Sequence, residues 1–151
     1  MSLVIYTDGS CWPTNGGPGG WAFVVICQDG RVAHEASGSL RRTTNNRAEL
    51  IAIGRAMRWA GGRQAVIHSD SQVCVNTLSR WSAGWRKRGW RKSDGDEPAN
   101  LDLIIPAYEL YLASNCRLQW VRGHAGNEFN ERADELAGLA RLAVTPDPLR
   151  G

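Results

Sequence analysis

The first forty residues alternate between short apolar segments and glycine-rich turns, which predicts three consecutive β-strands. The strand segments are residues 3–8, 21–27 and 31–40. The first turn contains Asn-Gly-Gly-Pro-Gly-Gly at 15–20, and Asp29-Gly30 is a typical hairpin turn. Strands joined by short turns can pair only antiparallel, because parallel pairs need a long crossover. The N-terminal part of the chain is therefore predicted to be an antiparallel meander.

After residue 40 the pattern changes to a helical period, and single strands alternate with helices. Leu50, Ile53, Gly54 and Met57 share one face of a helix that ends at the glycines 61–62. Strands are also predicted at 65–70 and 116–121, and helices at 71–80, 100–113 and 130–143. Asn100 is the expected cap of its helix, and Pro106 should kink that helix.

Helical crossovers between strands give parallel pairs of right-handed connectivity, so the first, fourth and fifth strands should run parallel. We therefore predict an α/β fold with a mixed five-stranded sheet, an antiparallel meander plus parallel strands, and helices packed on both faces. The length of 151 residues fits one domain, assigned to 1–144, followed by a short tail at 145–151.

The composition excludes several classes of protein. No run of eighteen apolar residues occurs and the N-terminus lacks a basic region, so we expect neither a membrane span nor a signal peptide. The four scattered cysteines are expected to be reduced thiols, with Cys27 and Cys74 packed in the core. The simplest location is then the cytoplasm.

Charge is concentrated in one segment. The net charge is only +3, but residues 80–92 hold six basic residues and no acid, which leaves −3 for the rest of the chain. Tryptophans are interleaved with these charges and could form cation–π pairs with them. Such a segment indicates a surface for polyanions. The alternative is a solvated basic helix face with its tryptophans in the core.

Two aspartates end strands that the predicted topology makes neighbours. Asp8 ends the first strand and Asp70 the fourth, so both would project from the carboxyl edge of the sheet, where open α/β sheets bind ligands. Either residue alone could instead cap a turn or helix, as Asp70 could before Ser71.

Two further acids lie early in helices. Glu49 is about 40° around its helix from Ile53, and a carboxylate that leans toward an apolar face is costly unless a cation meets it. Its alternative role is in a capping box with Asn46 as N-cap. Asp134 has a similar placement in the last helix, and its alternative is a solvated acid favoured by the helix dipole.

Four carboxylates at one sheet edge would repel one another and require cations. A ligand set made only of oxygen selects hard ions, which indicates Mg²⁺ or Mn²⁺ rather than zinc. Two such ions about 4 Å apart can stabilise the attacking and leaving oxygens of a phosphoryl displacement.

Six motifs that occur in chain order resemble type 1 ribonuclease H in its bacterial single-domain form. They are Thr7-Asp8-Gly9-Ser10, Thr43-Thr44-Asn45-Asn46-Arg47-Ala48-Glu49-Leu50, Ser69-Asp70-Ser71-Gln72, Trp85-Arg86-Lys87-Arg88-Gly89-Trp90, Gly123-His124-Ala125-Gly126 and Asn130-Glu131-Arg132-Ala133-Asp134-Glu135-Leu136-Ala137. The resemblance extends from about Val4 to Ala143. The sequence departs from the family pattern in the loop from Cys11 to Gly20, which is one residue longer and carries Trp12-Pro13.

The resemblance implies the ribonuclease H-like fold and an endoribonuclease that hydrolyses the RNA strand of RNA–DNA hybrids, leaving 5′-phosphate and 3′-hydroxyl ends. It also implies two Mg²⁺ ions, with Mn²⁺ as an alternative, held by the catalytic carboxylates Asp8, Glu49, Asp70 and Asp134. His124 is implied to assist by passing a proton to the leaving oxygen or by helping to release the product.

The same resemblance implies where a hybrid duplex would bind. Asn15, Asn46 and Gln72 would lie in the minor groove, and Thr44 would seat DNA phosphates, with Asn15 and Arg47 as further candidates. The basic segment would contact nucleic acid through Trp81, Trp85, Arg86, Lys87, Arg88 and Trp90. Among these, Trp85 and Trp90 should be partly structural, and residues 86–88 should contact phosphates.

Two rival functions remain open from the sequence. One is another two-metal nuclease or transferase of the same superfold, such as an integrase, transposase or exonuclease domain. The other is a hybrid-binding module without catalytic activity. We expect the protein to be a monomer that does not associate with a membrane and needs no obligate protein partner.

Overall fold

Five strands form one mixed sheet in the order β3-β2-β1-β4-β5 in the computed structural model, which describes residues 2–144. The strands are β1 Leu3–Cys11, β2 Gly19–Ile26, β3 Val32–Leu40, β4 Ala65–Ser69 and β5 Cys116–Trp120. β1 pairs antiparallel with β2, and β2 antiparallel with β3. β1 pairs parallel with β4, and β4 parallel with β5. The predicted topology is confirmed, whereas the predicted tail at 145–151 lies outside the described residues.

The helices cover both faces of this sheet, as predicted. They are α1 Asn45–Ala60, α2 Gln72–Asn76, α3 Ser82–Lys87, α4 Leu101–Ala113 and α5 Glu128–Leu142. A π-helical turn, Thr77–Trp81, joins α2 to α3, so the helix predicted at 71–80 extends to residue 87.

The two faces of the sheet carry separate apolar clusters, because successive side chains of a strand point to opposite sides. On one face Ile5 and Ile67 pack with Ile53 and Met57 of α1. On the other face Val24 and Ile26 pack with residues of α5. Burial of these side chains supplies the main stabilisation of the fold.

Helix caps differ from the predicted ones. The Thr44 hydroxyl accepts the hydrogen bond of the Arg47 amide at 3.2 Å, so Thr44 caps α1 and the capping box with Asn46 is wrong. Asn100 precedes α4 with a left-handed backbone (φ 65°), and its side chain makes no cap. α4 continues through Pro106 to Ala113.

The last helix begins two residues earlier than predicted. The Asn127 Oδ1 atom accepts hydrogen bonds from the amides of Phe129 and Asn130, both at 3.0 Å. The Asn127 Nδ2 atom donates to the Tyr6 hydroxyl at 3.3 Å. The start of α5 is thereby tied to β1.

All four cysteines are free thiols, as predicted. Cys74 is buried, but the prediction was wrong for Cys27, which is exposed where β2 ends in a hairpin turn. Among residues 2–144, no helix is both long and apolar enough to cross a membrane.

Candidate active site and nucleic-acid interface

Asp8 and Asp70 are neighbours on one face of the sheet. The parallel register of β1 and β4 pairs Thr7 with Ser69. Asp70 directly follows β4, as predicted, whereas Asp8 lies inside β1, which continues to Cys11, so the prediction that the first strand ends at Asp8 is wrong. The cap of α2 is Ser71, whose hydroxyl accepts from the Cys74 amide, so a capping role for the Asp70 side chain is wrong. The Asp70 carboxylate is therefore available to the site.

The end of β5 and the loop that follows it hold Asp70 in position. The indole Nε1 of Trp120 donates to the Asp70 backbone carbonyl at 3.1 Å. Gly123 packs directly against the Asp70 side chain, because a β-carbon on Gly123 would lie 2.8 Å from Asp70 Oδ2. Sequence reasoning missed both roles, since nothing in the sequence pairs the end of β5 with the residue that follows β4.

Glu49 reaches this pair from the opposite face of the sheet. It lies in the first turn of α1, and it is only 8% exposed. β1 and α1 touch at Gly9, where a β-carbon would overlap the backbone of Ala48 and the amide nitrogen of Glu49. The missing side chain of Gly9 thus brings Glu49 beside Asp8. This role of Gly9 was also missed, although its position directly after Asp8 was visible in the sequence.

The three acids form a compact cluster. One carboxylate oxygen each from Asp8, Glu49 and Asp70 lie within 4.8 Å of one another. Glu49 Oε2 is buried, and no amide or hydroxyl among the described residues donates to it. An unsatisfied buried oxygen is costly, and a divalent cation would satisfy it. A donor set made only of carboxylate oxygens fits Mg²⁺ or Mn²⁺.

Burial is the largest cause of the raised pKa of each clustered carboxyl. At Asp8 the charge of Glu49 and a hydrogen bond with Glu49 raise the pKa further. That hydrogen bond lowers the pKa of Glu49, but burial still holds it above its usual range. Close carboxyls without a cation therefore retain protons, and a metal would displace them.

Asp134 and His124 border the cluster. Asp134 is exposed on α5. Burial is the largest cause of the raised pKa of Asp70, a hydrogen bond with Glu49 lowers that pKa, and the charge of Asp134 raises it. His124 is exposed in the loop after β5, with a left-handed backbone (φ 55°), and its charge lowers the pKa of Asp70. Both residues thus lie near Asp70, outside the compact cluster of three acids.

The predicted minor-groove residues surround the same edge. The Asn15 Oδ1 atom accepts from the Asn45 amide at 3.0 Å, which ties the loop after β1 to the start of α1. Asn46 and Gln72 are exposed in the first turns of α1 and α2. Three exposed amide side chains are therefore presented around the carboxylates.

Two predicted phosphate ligands have structural partners. Thr44 caps α1, as described above, and remains half-exposed. The Arg47 guanidinium binds both carboxylate oxygens of Asp102 at 2.9 and 2.8 Å and joins α1 to α4. The hydrogen bond from Arg47 lowers the pKa of Asp102. The charge of Arg47 is thus already paired within the protein.

The basic segment from Trp81 to Lys92, here called the basic protrusion, consists of the last residue of the π-helical turn, α3 and the residues that follow α3. The side chains of Arg86, Lys87 and Arg88 are exposed. Trp85 and Trp90 are half-buried against the core, and Trp90 packs edge-on against Tyr108 of α4 with ring centroids 6.0 Å apart. The division into structural tryptophans and exposed cations matches the predicted one.

Aromatic packing within the protrusion differs from the expected pattern. Trp81 is 41% exposed and packs on Trp85, with ring centroids 6.0 Å apart. Among the described residues, no cation–π pair lies in the protrusion; the three pairs are Arg55–Trp21, Arg63–Trp59 and Arg141–Trp12. Arg80, Trp81, Trp85 and Lys92 line a groove of about 460 Å³. This groove offers cations and aromatic surface together.

A sheet edge with clustered carboxylates beside a basic protrusion is the arrangement of a metal-dependent nuclease, and comparison with known proteins identifies its family. The family model "RNase H" matches residues 1–141. The ribonuclease H of Granulibacter bethesdensis is 42% identical over 141 residues, which are 93% of this chain and 92% of the relative. That of Acidiphilium cryptum is 42% identical over 147 residues, 97% of this chain and 90% of the relative.

Solved structures agree with the sequence comparisons. LC9-RNase H1, a type 1 RNase H, superposes with a TM-score of 0.82 at 32% identity, over 95% of this chain and 73% of that one. LC11-RNase H1 in complex with RNA/DNA hybrid has a TM-score of 0.68 at 26% identity, over 93% and 96% of the two chains. The chain belongs to the ribonuclease H family and is a nuclease of that family.

Proposed function

We propose that the protein is an endonuclease that hydrolyses the RNA strand of RNA–DNA hybrids and leaves 5′-phosphate and 3′-hydroxyl ends. The observation that carries the proposal is the cluster of Asp8, Glu49 and Asp70, with an unsatisfied buried oxygen, beside the exposed cations of the basic protrusion. The relative LC11-RNase H1, which was solved in complex with an RNA/DNA hybrid, supports the choice of substrate.

Asp8, Glu49 and Asp70, together with the bordering Asp134, would hold two Mg²⁺ ions, or Mn²⁺ in their place. Bound divalent ions supply Lewis-acid stabilisation of the phosphoryl oxygens and raise the acidity of water. Glu49 serves this role because its carboxylate is buried and rigidly placed by α1. Asp134 is exposed and therefore suits the side of the site that exchanges with solvent.

The bond changes follow from hydrolysis. A water oxygen forms a bond to phosphorus and releases a proton, the bond from phosphorus to O3′ breaks, and the departing O3′ takes up a proton. His124 lies beside Asp70 in an exposed loop and can carry that proton, or help the product phosphate to leave. The RNA 2′-hydroxyl is not consumed, so it can report strand identity to Asn15, Asn46 and Gln72.

The DNA strand would lie toward the protrusion. Thr44 and the cations Arg86, Lys87 and Arg88 would contact its phosphates, with Trp81 and Trp85 as aromatic contacts in the groove. Trp90 packs against Tyr108 on the core side of this surface and so holds the surface in place. We also propose that the protein acts in the cytoplasm as a monomer and needs no obligate protein partner.

The test is cleavage of three end-labelled duplexes, an RNA–DNA hybrid, duplex DNA and duplex RNA, each with Mg²⁺ and with EDTA. We expect Mg²⁺-dependent cleavage of the RNA strand of the hybrid alone, with ends that carry 5′-phosphate. Asp8→Asn and Asp70→Asn should each reduce cleavage to below about 1% because each removes a proposed metal ligand. Asp29→Asn, in an exposed hairpin turn, is the matched control.

Two results would overturn the proposal. Equal cleavage of duplex DNA would favour the rival nuclease of the same superfold. Tight hybrid binding without any cleavage in Mg²⁺ or Mn²⁺ would favour a binding module. Loss of one carboxylate should also leave the fold intact or more stable, since it relieves repulsion within the cluster; circular dichroism checks that the inactive variants are folded.

A further inference from the structure

Trp12 lies in the loop after β1, and its side chain is 65% exposed. The Arg141 guanidinium lies over its ring, 5.5 Å from the centroid. The Arg141 Nε atom also donates to the Ser10 hydroxyl at 3.1 Å. An aromatic ring and a cation are therefore held together on the surface near the end of β1.

The Trp12–Arg141 pair lies next to the candidate active site, further along the faces of β1 and α5 that carry its aspartates. Asp8 and Ser10 lie on the same face of β1, because their positions differ by two. Asp134 and Arg141 lie on the same face of α5, because seven residues are nearly two helical turns. The hydrogen bond between Ser10 and Arg141 joins this face of β1 to this face of α5. Four residues of extended chain span about 13 Å, so Trp12 is within that distance of Asp8.

The pair is rigidly placed. Gly20 lies opposite Ser10 in the β1–β2 register, and a β-carbon there would overlap the backbone of α5 at Ala137. α5 thus lies directly on the sheet beside Arg141. The loop that carries Trp12 is held by hydrogen bonds between the backbones of Gly16, Gly17 and Thr43. Little conformational entropy would be lost when a ligand binds here.

The pair lies on the opposite face of the sheet from the basic protrusion. The protrusion packs with α1 and α4, whereas Arg141 is on α5. A duplex whose scissile phosphate reaches the carboxylates would therefore contact the basic protrusion with one part and the Trp12–Arg141 pair with another. Among residues 2–144 no carboxylate forms an ion pair with Arg141, in contrast to Arg47 and Arg132.

We propose that Trp12 and Arg141 form a second nucleic-acid contact, which binds the RNA strand beside the scissile phosphate. The inference rests on the proposed hydrolysis of hybrids. Arg141 binds one RNA phosphate through a charge-assisted hydrogen bond. Trp12 packs its indole against the neighbouring nucleotide and screens that bond from water. The pair sets affinity for the cleaved strand and acts as a positioning contact, with no part in proton transfer.

The test measures binding of a labelled hybrid in the Asp70→Asn background with Mg²⁺, where the substrate stays intact. Trp12→Ala and Arg141→Gln should each raise Kd about tenfold, the loss typical of one stacking or phosphate contact. Trp12→Phe should retain most of the affinity. Leu142→Ala, an exposed apolar residue next to Arg141, and Arg58→Gln, at the far end of α1, are the matched controls.

The strand is assigned with neutral methylphosphonates placed one at a time in each strand. We expect one or two RNA positions at which the modification weakens binding by the Asp70→Asn parent but not by the variant that also carries Arg141→Gln. The same scan of the DNA strand should show no such coupling. Coupling to the DNA strand, or Kd values for both variants within twofold of the parent, would overturn the inference.

Failure of this inference is distinguishable from failure of the proposed function. Cleavage of the hybrid by the unmodified protein tests the function alone. If that protein cleaves the hybrid while the Trp12 and Arg141 variants bind as the parent does, only the second contact is wrong. If the unmodified protein leaves the hybrid intact, the proposed function fails together with the inference built on it.

Discussion

Glu49 lies beside Asp8 because Gly9 has no side chain: a β-carbon on Gly9 would overlap the Glu49 amide nitrogen. The close approach of β1 to α1 brings a carboxylate from one face of the sheet to an aspartate on the other. The cluster of acids is thus a product of backbone packing as much as of the acids themselves.

We expect Gly9→Ala to lower the free energy of unfolding by about 3 kcal/mol, the cost of overpacking a site that cannot relax. Cleavage should fall as well, because the overlap pushes Glu49 away from Asp8. Gly54→Ala is the matched control, since nothing lies within 4 Å of a β-carbon there. It should stabilise the protein by about 0.5–1 kcal/mol, because alanine is the better residue inside a helix. Urea unfolding of both variants measures the difference; equal stabilities would contradict the packing argument.

Stability without metal should fall as the pH rises. The pKa values of Asp8, Glu49 and Asp70 are raised by burial, so these groups hold protons more tightly when folded. Their contribution is complete below the unfolded pKa, near 4, and is lost as the pH rises through the raised folded values. Each group contributes up to about 1.4 kcal/mol per pH unit in that window.

Urea midpoints in EDTA from about pH 5 upward measure this slope, which Asp8→Asn should flatten. Asp29→Asn should leave the slope unchanged. Arg31 lowers the pKa of the Asp29 carboxyl, so this group is already ionised over the pH range of the measurement. Mg²⁺ should restore stability on the alkaline side, by about 1.4 kcal/mol at ten times Kd. If Mg²⁺ and a non-binding salt of equal ionic strength give the same midpoints, the acids do not form a metal site.

Replacing Arg86, Lys87 and Arg88 by alanine should raise KM for the hybrid with a smaller effect on kcat. Contacts to phosphates away from the reacting bond stabilise ground and transition states alike. The dependence of log Kd on log salt should also flatten, by about 0.9 for each duplex phosphate that the variant no longer neutralises. Arg58→Ala, an exposed residue in the last turn of α1, is the control. An unchanged salt slope would make the three cations ordinary surface charge.

His124→Ala should lower kcat about 10²-fold with little change in KM, which is the low end for general acid–base assistance. The loss should be smaller than that of Asp70→Asn, because a proton can still reach the leaving oxygen from solvent. His124 is exposed, so the variant should fold normally. The two variants are compared at saturating Mg²⁺ from about pH 6 to about pH 9, because the pH profile of kcat reports groups that act in general acid–base catalysis. Full kcat for His124→Ala throughout that range would remove its catalytic role.

Local chemistry determined much of what the sequence predicted. Strand period, turn glycines and helix period are properties of neighbouring residues, so the element order and the mixed topology followed from them. Caps were less predictable, because Thr44 and Asn46 both offer a suitable side chain and only the path of the chain selects Thr44. Cys27 was placed wrongly for a similar reason, since an apolar run does not reveal where a strand leaves the core.

The sequence suggested four acids as metal ligands and predicted that Asp8 and Asp70 are neighbours, but the tertiary structure decided which acids form the compact cluster. Register between β1 and β4 places Asp8 beside Asp70, and the contact at Gly9 adds Glu49 to them. Trp120, Gly123 and the pair of Trp12 with Arg141 have roles that depend on contacts between residues distant in the chain. A sequence specifies which groups are present; packing of strands and helices decides which of them share a site, because burial and separation set their charges and partners.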